Sequence, residues 1–202
     1  MLPIFLAQQR RIAEWTHGAR LTPLQRAASE LVPSASSIAV SIRELVRQAY
    51  LLSALILTRP LMERVATLSY LIDNPSAVTL WEQGWPHETR PKLRQRIDAM
   101  ANVRGGPVPE GIPPSADDIK RLIDRYNSLV HGDPASALHG SVLMGDGCPG
   151  FTISKDTSSP ARADGICFET VCWIVVLMGR CSQLFPGLAQ PSDPDCPTPT
   201  NP

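Results

Sequence analysis

The sequence predicts an all-helical protein, and three observations carry that reading. Apolar residues recur at three- and four-residue spacing along most of the 202-residue chain, which is the period of an amphipathic helix. Several of these stretches are bracketed by capping residues and by Pro or Gly, the punctuation that starts and stops helices. The strand-like pattern is confined to one short Gly/Pro-centred region, about 137–155. The expected architecture is therefore a helical bundle in a single domain, 1–185, with a small β-hairpin insertion and a disordered tail over 186–202.

Taken in order, Ile4 to Thr16 has helical spacing (Ile4, Ala7, Ile12, Trp15), and His17-Gly18 reads as its stop. A short second helix is expected from Pro23 to Leu31: Thr22 caps it, Pro23 takes the first helical position and Pro33 ends it. Ser34 to Ile72 is the longest element. Ile38, Ile42, Leu45, Ala49 and Leu52 mark its stripe, which Leu61, Met62, Val65 and Leu68 resume after Pro60. Pro60 either kinks this helix or begins a new one. Asp73-Asn74-Pro75 is a turn, and Pro75 to Trp85 a short helix carrying Trp81 and Trp85 as core or interface anchors.

Arg90, Lys92, Arg94, Arg96 and, later, Arg104 form the one local basic concentration, on an expected helix with Leu93, Ile97 and Met100 facing inward. Two readings stay open for it: a solvated face, or a grip on nucleic-acid phosphates. No aromatic residues interleave with it, so a stacking platform for single strands is not indicated. A Gly/Pro-rich loop spans 105–114. Ala137–Met144 and Phe151–Ser154 flank Gly145–Gly150 as a hairpin. Pro160 to Leu184 is the last helix, and Pro, Ser, Thr, Asp and Asn dominate from Pro186 onward.

Composition narrows the function classes. Formal net charge is zero, so any nucleic-acid surface must be a local patch. The five cysteines are odd in number and lack C-x-x-C spacing, which argues against a disulfide framework or a zinc site. A set of His131, Asp133, His139 and Asp146 has no recognised metal-ligand spacing, and neither a P-loop nor a dinucleotide-binding glycine pattern is present. No metal or cofactor is expected. The longest apolar run, Val171 to Met178, falls short of the ~20 residues of a membrane span; the expectation is a cytoplasmic protein without a membrane partner.

The densest set of chemically capable side chains lies in Asp117–Gly132. Ser115 is a natural N-cap, Asp117 and Asp118 suit the positive end of the helix dipole, and Gly132 followed by Pro134 closes the helix. At about 100° per residue, Ile119, Leu122, Ile123, Tyr126, Leu129 and Val130 share one face. Arg121, Asp124, Arg125, Ser128 and His131 occupy the other, with Asn127 on the border.

Arg125-Tyr-Asn-Ser-Leu-Val-His131 resembles the Arg-x(4–6)-His signature of HEPN domains, all-helical bacterial and archaeal modules of which many are metal-independent ribonucleases in toxin–antitoxin and phage-defence systems. Arg59-Pro-Leu-Met-Glu63 is similar to an Arg-x-x-x-Glu helix of HEPN-like bacterial proteins. The resemblance spans roughly 34–131. It implies a homodimer with a site between protomers, RNA as substrate, and a cognate antitoxin as a protein partner. Under it Arg125, His131 and Asn127 are the catalytic candidates, and Arg59, Glu63, Arg94 and Arg96 the substrate-binding ones.

The residues fit that chemistry. Metal-free RNA cleavage needs a group to take the 2′-hydroxyl proton, another to protonate the leaving oxygen, and positive charge for the phosphorane. His131 can act as base or acid, and Arg125 offers a planar cationic fork. Asn127 or Asp124 could orient the imidazole. Other roles are open: His131 as a helix-end residue bonded to the last carbonyls, and Arg59–Glu63 as an i,i+4 ion pair. Tyr126 stands where many active members carry a polar residue, which favours a catalytically silent helical module serving dimerisation or protein binding.

Overall fold

The computed structural model describes residues 2–18, 20–101, 116–131, 141–143, 149–151 and 160–185. Ser115, Gly132, Asp133, Pro134, His139, Asp146, Arg104, the 105–114 loop and the tail from Pro186 lie outside these residues. The architecture is all-α. Its helices are α1 (Leu2–Thr16), α2 (Pro23–Arg47), α3 (Leu51–Asp73), α4 (Ala77–Glu82), α5 (Leu93–Ala101), α6 (Ala116–His131) and α7 (Pro160–Leu184). Between α6 and α7, β1 (Ser141–Leu143) and β2 (Pro149–Phe151) pair antiparallel, with Val142 opposite Gly150; the rest of the 137–155 stretch is outside the described residues.

The centre of the bundle is the antiparallel hairpin of α2 and α3. Its course is visible in the bond from Arg64 Nε to Ser34 Oγ, 2.6 Å, which joins positions equidistant from the turn. Along α2, Ala28, Val32, Ala35 and Ala39 are buried at helical spacing, and Leu61, Met62, Val65 and Leu68 answer from α3. α7 packs on both helices, α5 on α3, and α6 against α3 and α5.

Two expected boundaries are corrected. Pro33 does not end a helix at Leu31: α2 runs through it to Arg47. Pro33 faces outward, so the carbonyl it deprives of a partner lies on the wet side of the helix, where water can satisfy it. Of the two readings of Pro60, a new start is excluded: α3 continues through it to Asp73. The break falls instead at Gln48–Tyr50, inside the stretch read as one long element. There Tyr50 N–H donates to Leu45 O (2.8 Å) and Ala49 N–H to Val46 O (2.9 Å). This is a Schellman closure, with an alanine at φ +64° in its left-handed position.

The start of α2 follows its sequence signal. Gln25 N–H donates to Thr22 Oγ1 (3.2 Å) and Thr22 N–H to Gln25 Oε1 (3.0 Å), a reciprocal capping box. The Gln25 amide then donates to Leu184 O (3.0 Å), pinning the end of α7 to the start of α2. α4 is shorter than expected, six residues, and Trp85 lies beyond it. Trp85 and Gly84 repeat the Schellman bonds, to Leu80 O and Trp81 O. Gly84 takes the left-handed position at φ +84°, and Trp85 after it also has a positive φ, +55°; it is buried, with its ring edge-on to Trp81 at 5.3 Å.

α7 is long and apolar enough to cross a membrane by length and composition, although its longest uninterrupted apolar run is shorter. It packs as a core helix along one side: Ile166, Trp173, Ile174, Leu177 and Cys181 are buried. So is Arg180, whose Nη1 and Nη2 donate to Asp73 Oδ1 and Oδ2, each at 3.2 Å.

Candidate functional site

α6 is strongly two-sided. Tyr126 and Leu129 are buried, and Leu122 and Ile123 pack partly against the core. Val130, expected on the core face, is 48% exposed. The buried arc is centred between Tyr126 and Leu129, about 50° round from the centre that periodicity suggests. Val130 therefore falls at its margin.

Helix geometry sets the two principal candidates apart. His131 is exposed and points away from the core. Arg125 is also exposed, about 120° from His131 round the helix, on the flank that faces α7. There its Nη1 lies 3.8 Å from Glu169 Oε2, and its guanidinium sits over the Tyr126 ring at 5.9 Å. The Tyr126 hydroxyl donates to Glu169 Oε1. Burial first, and the Glu169 charge second, push the Tyr126 hydroxyl well above the usual phenol range. It stays protonated and serves as a fixed donor.

The two residues that could have oriented the imidazole are engaged elsewhere. Lys120 Nζ lies 2.7 Å from Asp124 Oδ2, an exposed i,i+4 pair. Asn127 Oδ1 accepts from Arg59 Nη1. Arg59 Nε meanwhile lies 2.8 Å from Glu63 Oε1, in a pair whose side chains are 18% and 29% exposed. Arg59, Glu63 and Asn127 are thus one hydrogen-bonded group that stitches α6 to α3. Among the described residues, no hydrogen bond links His131 to Arg125, Asn127 or Asp124.

The basic candidates divide. Arg94 is exposed on α5 and Arg90 exposed just before it, whereas Arg96 is buried. Arg96 Nη1 donates to Thr67 Oγ1 at 2.8 Å, and its guanidinium covers the Trp85 ring at 5.5 Å. Burial is the largest influence on it and lowers its pKa; Glu63 opposes that, and Arg90 and Arg59 add to it. Hence α5 does not present its arginines as one face. Among the described residues no group of three or more His, Cys, Asp or Glu could hold a metal ion.

Comparison with known proteins finds no matching family model, no matching curated protein and no matching solved structure.

Glu169 is the participant that sequence reading missed. It receives both Tyr126 and Arg125, yet it sits mid-way along an apolar helix, between Phe168 and Thr170. A carboxylate in such surroundings needs a partner from another element, and that is the signal that could have found it.

Proposed function

We propose that this chain is a HEPN-like helical protein, with 137–155 as a hairpin insertion, that cleaves or binds RNA as a homodimer without a metal ion. The observation that carries the reading is the two-sidedness of α6: Tyr126 and Leu129 anchor it, while Arg125 and His131 stand in solvent. One protomer holds the two groups on different flanks, so a shared cleft requires the His131 of one copy to approach the Arg125 of another. In that cleft His131 exchanges protons with the 2′-hydroxyl or the leaving oxygen, and Arg125 stabilises the phosphorane. Arg94, exposed on α5, supplies a phosphate contact, and Arg59 and Glu63 brace α6 through Asn127. Placement in a toxin–antitoxin or phage-defence system, with an antitoxin partner in the cytoplasm, follows from the same resemblance.

The test is cleavage of tRNA and mRNA by purified protein in a chelator. His131→Ala and Arg125→Ala are each expected to lose at least about 100-fold in rate, with the chelator itself without effect. Cleavage unchanged in His131→Ala would remove the imidazole from the mechanism. A second reading, a silent module for dimerisation or protein binding, is favoured by the engagement of Arg125 with Glu169 and of Asn127 with Arg59. Wild-type protein inert on every RNA tried, yet dimeric, would support that reading instead.

A further inference from the structure

Away from α6, the elements α2, α3, α4 and the start of α5 enclose a cleft of about 380 Å³. Its walls include Ser34, Glu63, Trp81, Trp85, Arg90 and Arg96. A second cavity of about 410 Å³ adjoins it, sharing Glu30, Trp81 and Gly84. The chemistry of the wall is unusual in one respect. Arg96 is 4% exposed and forms no ion pair among the described residues. Its Nη1 has a neutral partner, Thr67, and its Nε, buried, has none. The Trp85 indole N–H, on the same wall, is also buried without an acceptor.

Buried charges are ordinarily paired, because stranding one in a low-dielectric site is strongly unfavourable. Two carboxylates, Glu30 and Glu63, stand on the wall beside Arg64, Arg90 and Arg96. Neither forms an ion pair with Arg96 among the described residues, and Glu63 is bound to Arg59. Burial disfavours the Arg96 charge most; Glu63 supports it, and Arg90 and Arg59 oppose it. The cleft thus has a surplus of cation and of N–H donors, next to indole surface. Trp85, a bulky residue at φ +55°, is a further local cost, held in place by burial.

We infer that this cleft is a binding site for a small-molecule oxyanion, a carboxylate or a phosphate, which pairs with Arg96 and Arg90 while the rest of the ligand lies along Trp81. Arg96 supplies the buried fork that fixes the anion, and Arg90, exposed at the rim, draws it in. The volume suits a small metabolite rather than a polymer. This site is independent of the proposed RNA chemistry, since it uses neither Arg125 nor His131.

The experiment titrates full-length protein with inorganic phosphate and separately with benzoate, against sodium chloride at matched ionic strength. Thermal midpoint and tryptophan fluorescence are read together. A saturable rise in midpoint with a fluorescence change, beyond that of chloride, is expected for at least one of the two probes. The stronger probe tells a phosphoryl from a carboxylate ligand. Arg96→Met keeps an unbranched apolar stem while removing the charge and its N–H donors, and should abolish the response. Because that change could disturb folding, Arg90→Gln, at the exposed rim, is the second variant, expected to weaken binding on the order of tenfold. His131→Ala should bind the probes as wild type does, which separates failure here from failure of the ribonuclease reading. No response beyond chloride with either probe, or an undiminished response in a folded Arg96→Met and in Arg90→Gln, would overturn the assignment.

Discussion

Ala49 is a residue whose neighbours force it into a conformation its side chain resists. At φ +64° its Cβ crowds the following carbonyl, at a cost of about 1–2 kcal/mol. The hydrogen bonds of Ala49 and Tyr50 to the last carbonyls of α2 hold it there. Ala49→Gly removes the clash but returns conformational freedom to the unfolded chain, worth about 0.4–1 kcal/mol. The expected net result is a modest gain, about 0.5 kcal/mol, in urea-unfolding free energy. A loss of stability in that variant would show that the alanine methyl contributes packing greater than its strain. Nothing in the sequence announces this turn: the usual flag, a glycine, is missing, and the closure depends on bonds that only the folded hairpin supplies. Arg96 was opaque for a related reason. Counted among five cations it reads as part of a solvated or phosphate-gripping face, although it lies only about 60° round the helix from Leu93, close enough for α5 to carry it inward.

At the scale of elements, much was legible because local rules and packing agree. α7 begins and ends where its periodicity and flanking residues place it, Pro160 to Leu184, and Thr22 caps α2 as its sequence pattern predicts. Pro33 misled because a proline's local cost is set against a whole buried stripe, and Ala28, Val32, Ala35 and Ala39 outweigh it. On α6 the stripe was visible but its rotation was not, since that depends on α3 and α7, which receive Asn127 and Tyr126. Elements are also where ion pairs differ in worth. Arg180 is 5% exposed and meets both oxygens of Asp73, which is 34% exposed, joining α7 to the end of α3. Arg26 and Glu82, 54% and 40% exposed, are screened by solvent. Asp73→Asn should cost about 1–2 kcal/mol, because it leaves a buried guanidinium facing a neutral amide. Glu82→Gln should stay within about 0.5 kcal/mol. Equal effects from the two in chemical denaturation would mean that burial of Arg180 adds nothing to the clamp.

For the molecule as a whole, the question is whether α7 belongs to the protein core or to a bilayer. Its composition satisfies either, and 44% of its most apolar window is buried inside the fold. Its exposure pattern separates the two. Leu177 is fully buried, whereas Phe168 is 57% and Val175 36% exposed, at positions seven residues apart that share one outward stripe. A bilayer would surround that stripe with hydrocarbon, so a lysine on it would be penalised by about 2.5–3.5 kcal/mol near the membrane centre. As a core helix, α7 tolerates charge there, because the ammonium reaches water. Phe168→Lys and Val175→Lys are therefore expected to change unfolding free energy by less than about 1 kcal/mol. Leu177→Lys must bury an unpaired ammonium between α2 and α3 and should cost more than about 4 kcal/mol, enough to unfold a marginal domain. Circular dichroism and urea denaturation of the three variants, purified without detergent, decide the matter. Comparable disruption by all three, or a detergent requirement in the unsubstituted chain, would place the outward stripe of α7 against lipid or another apolar surface.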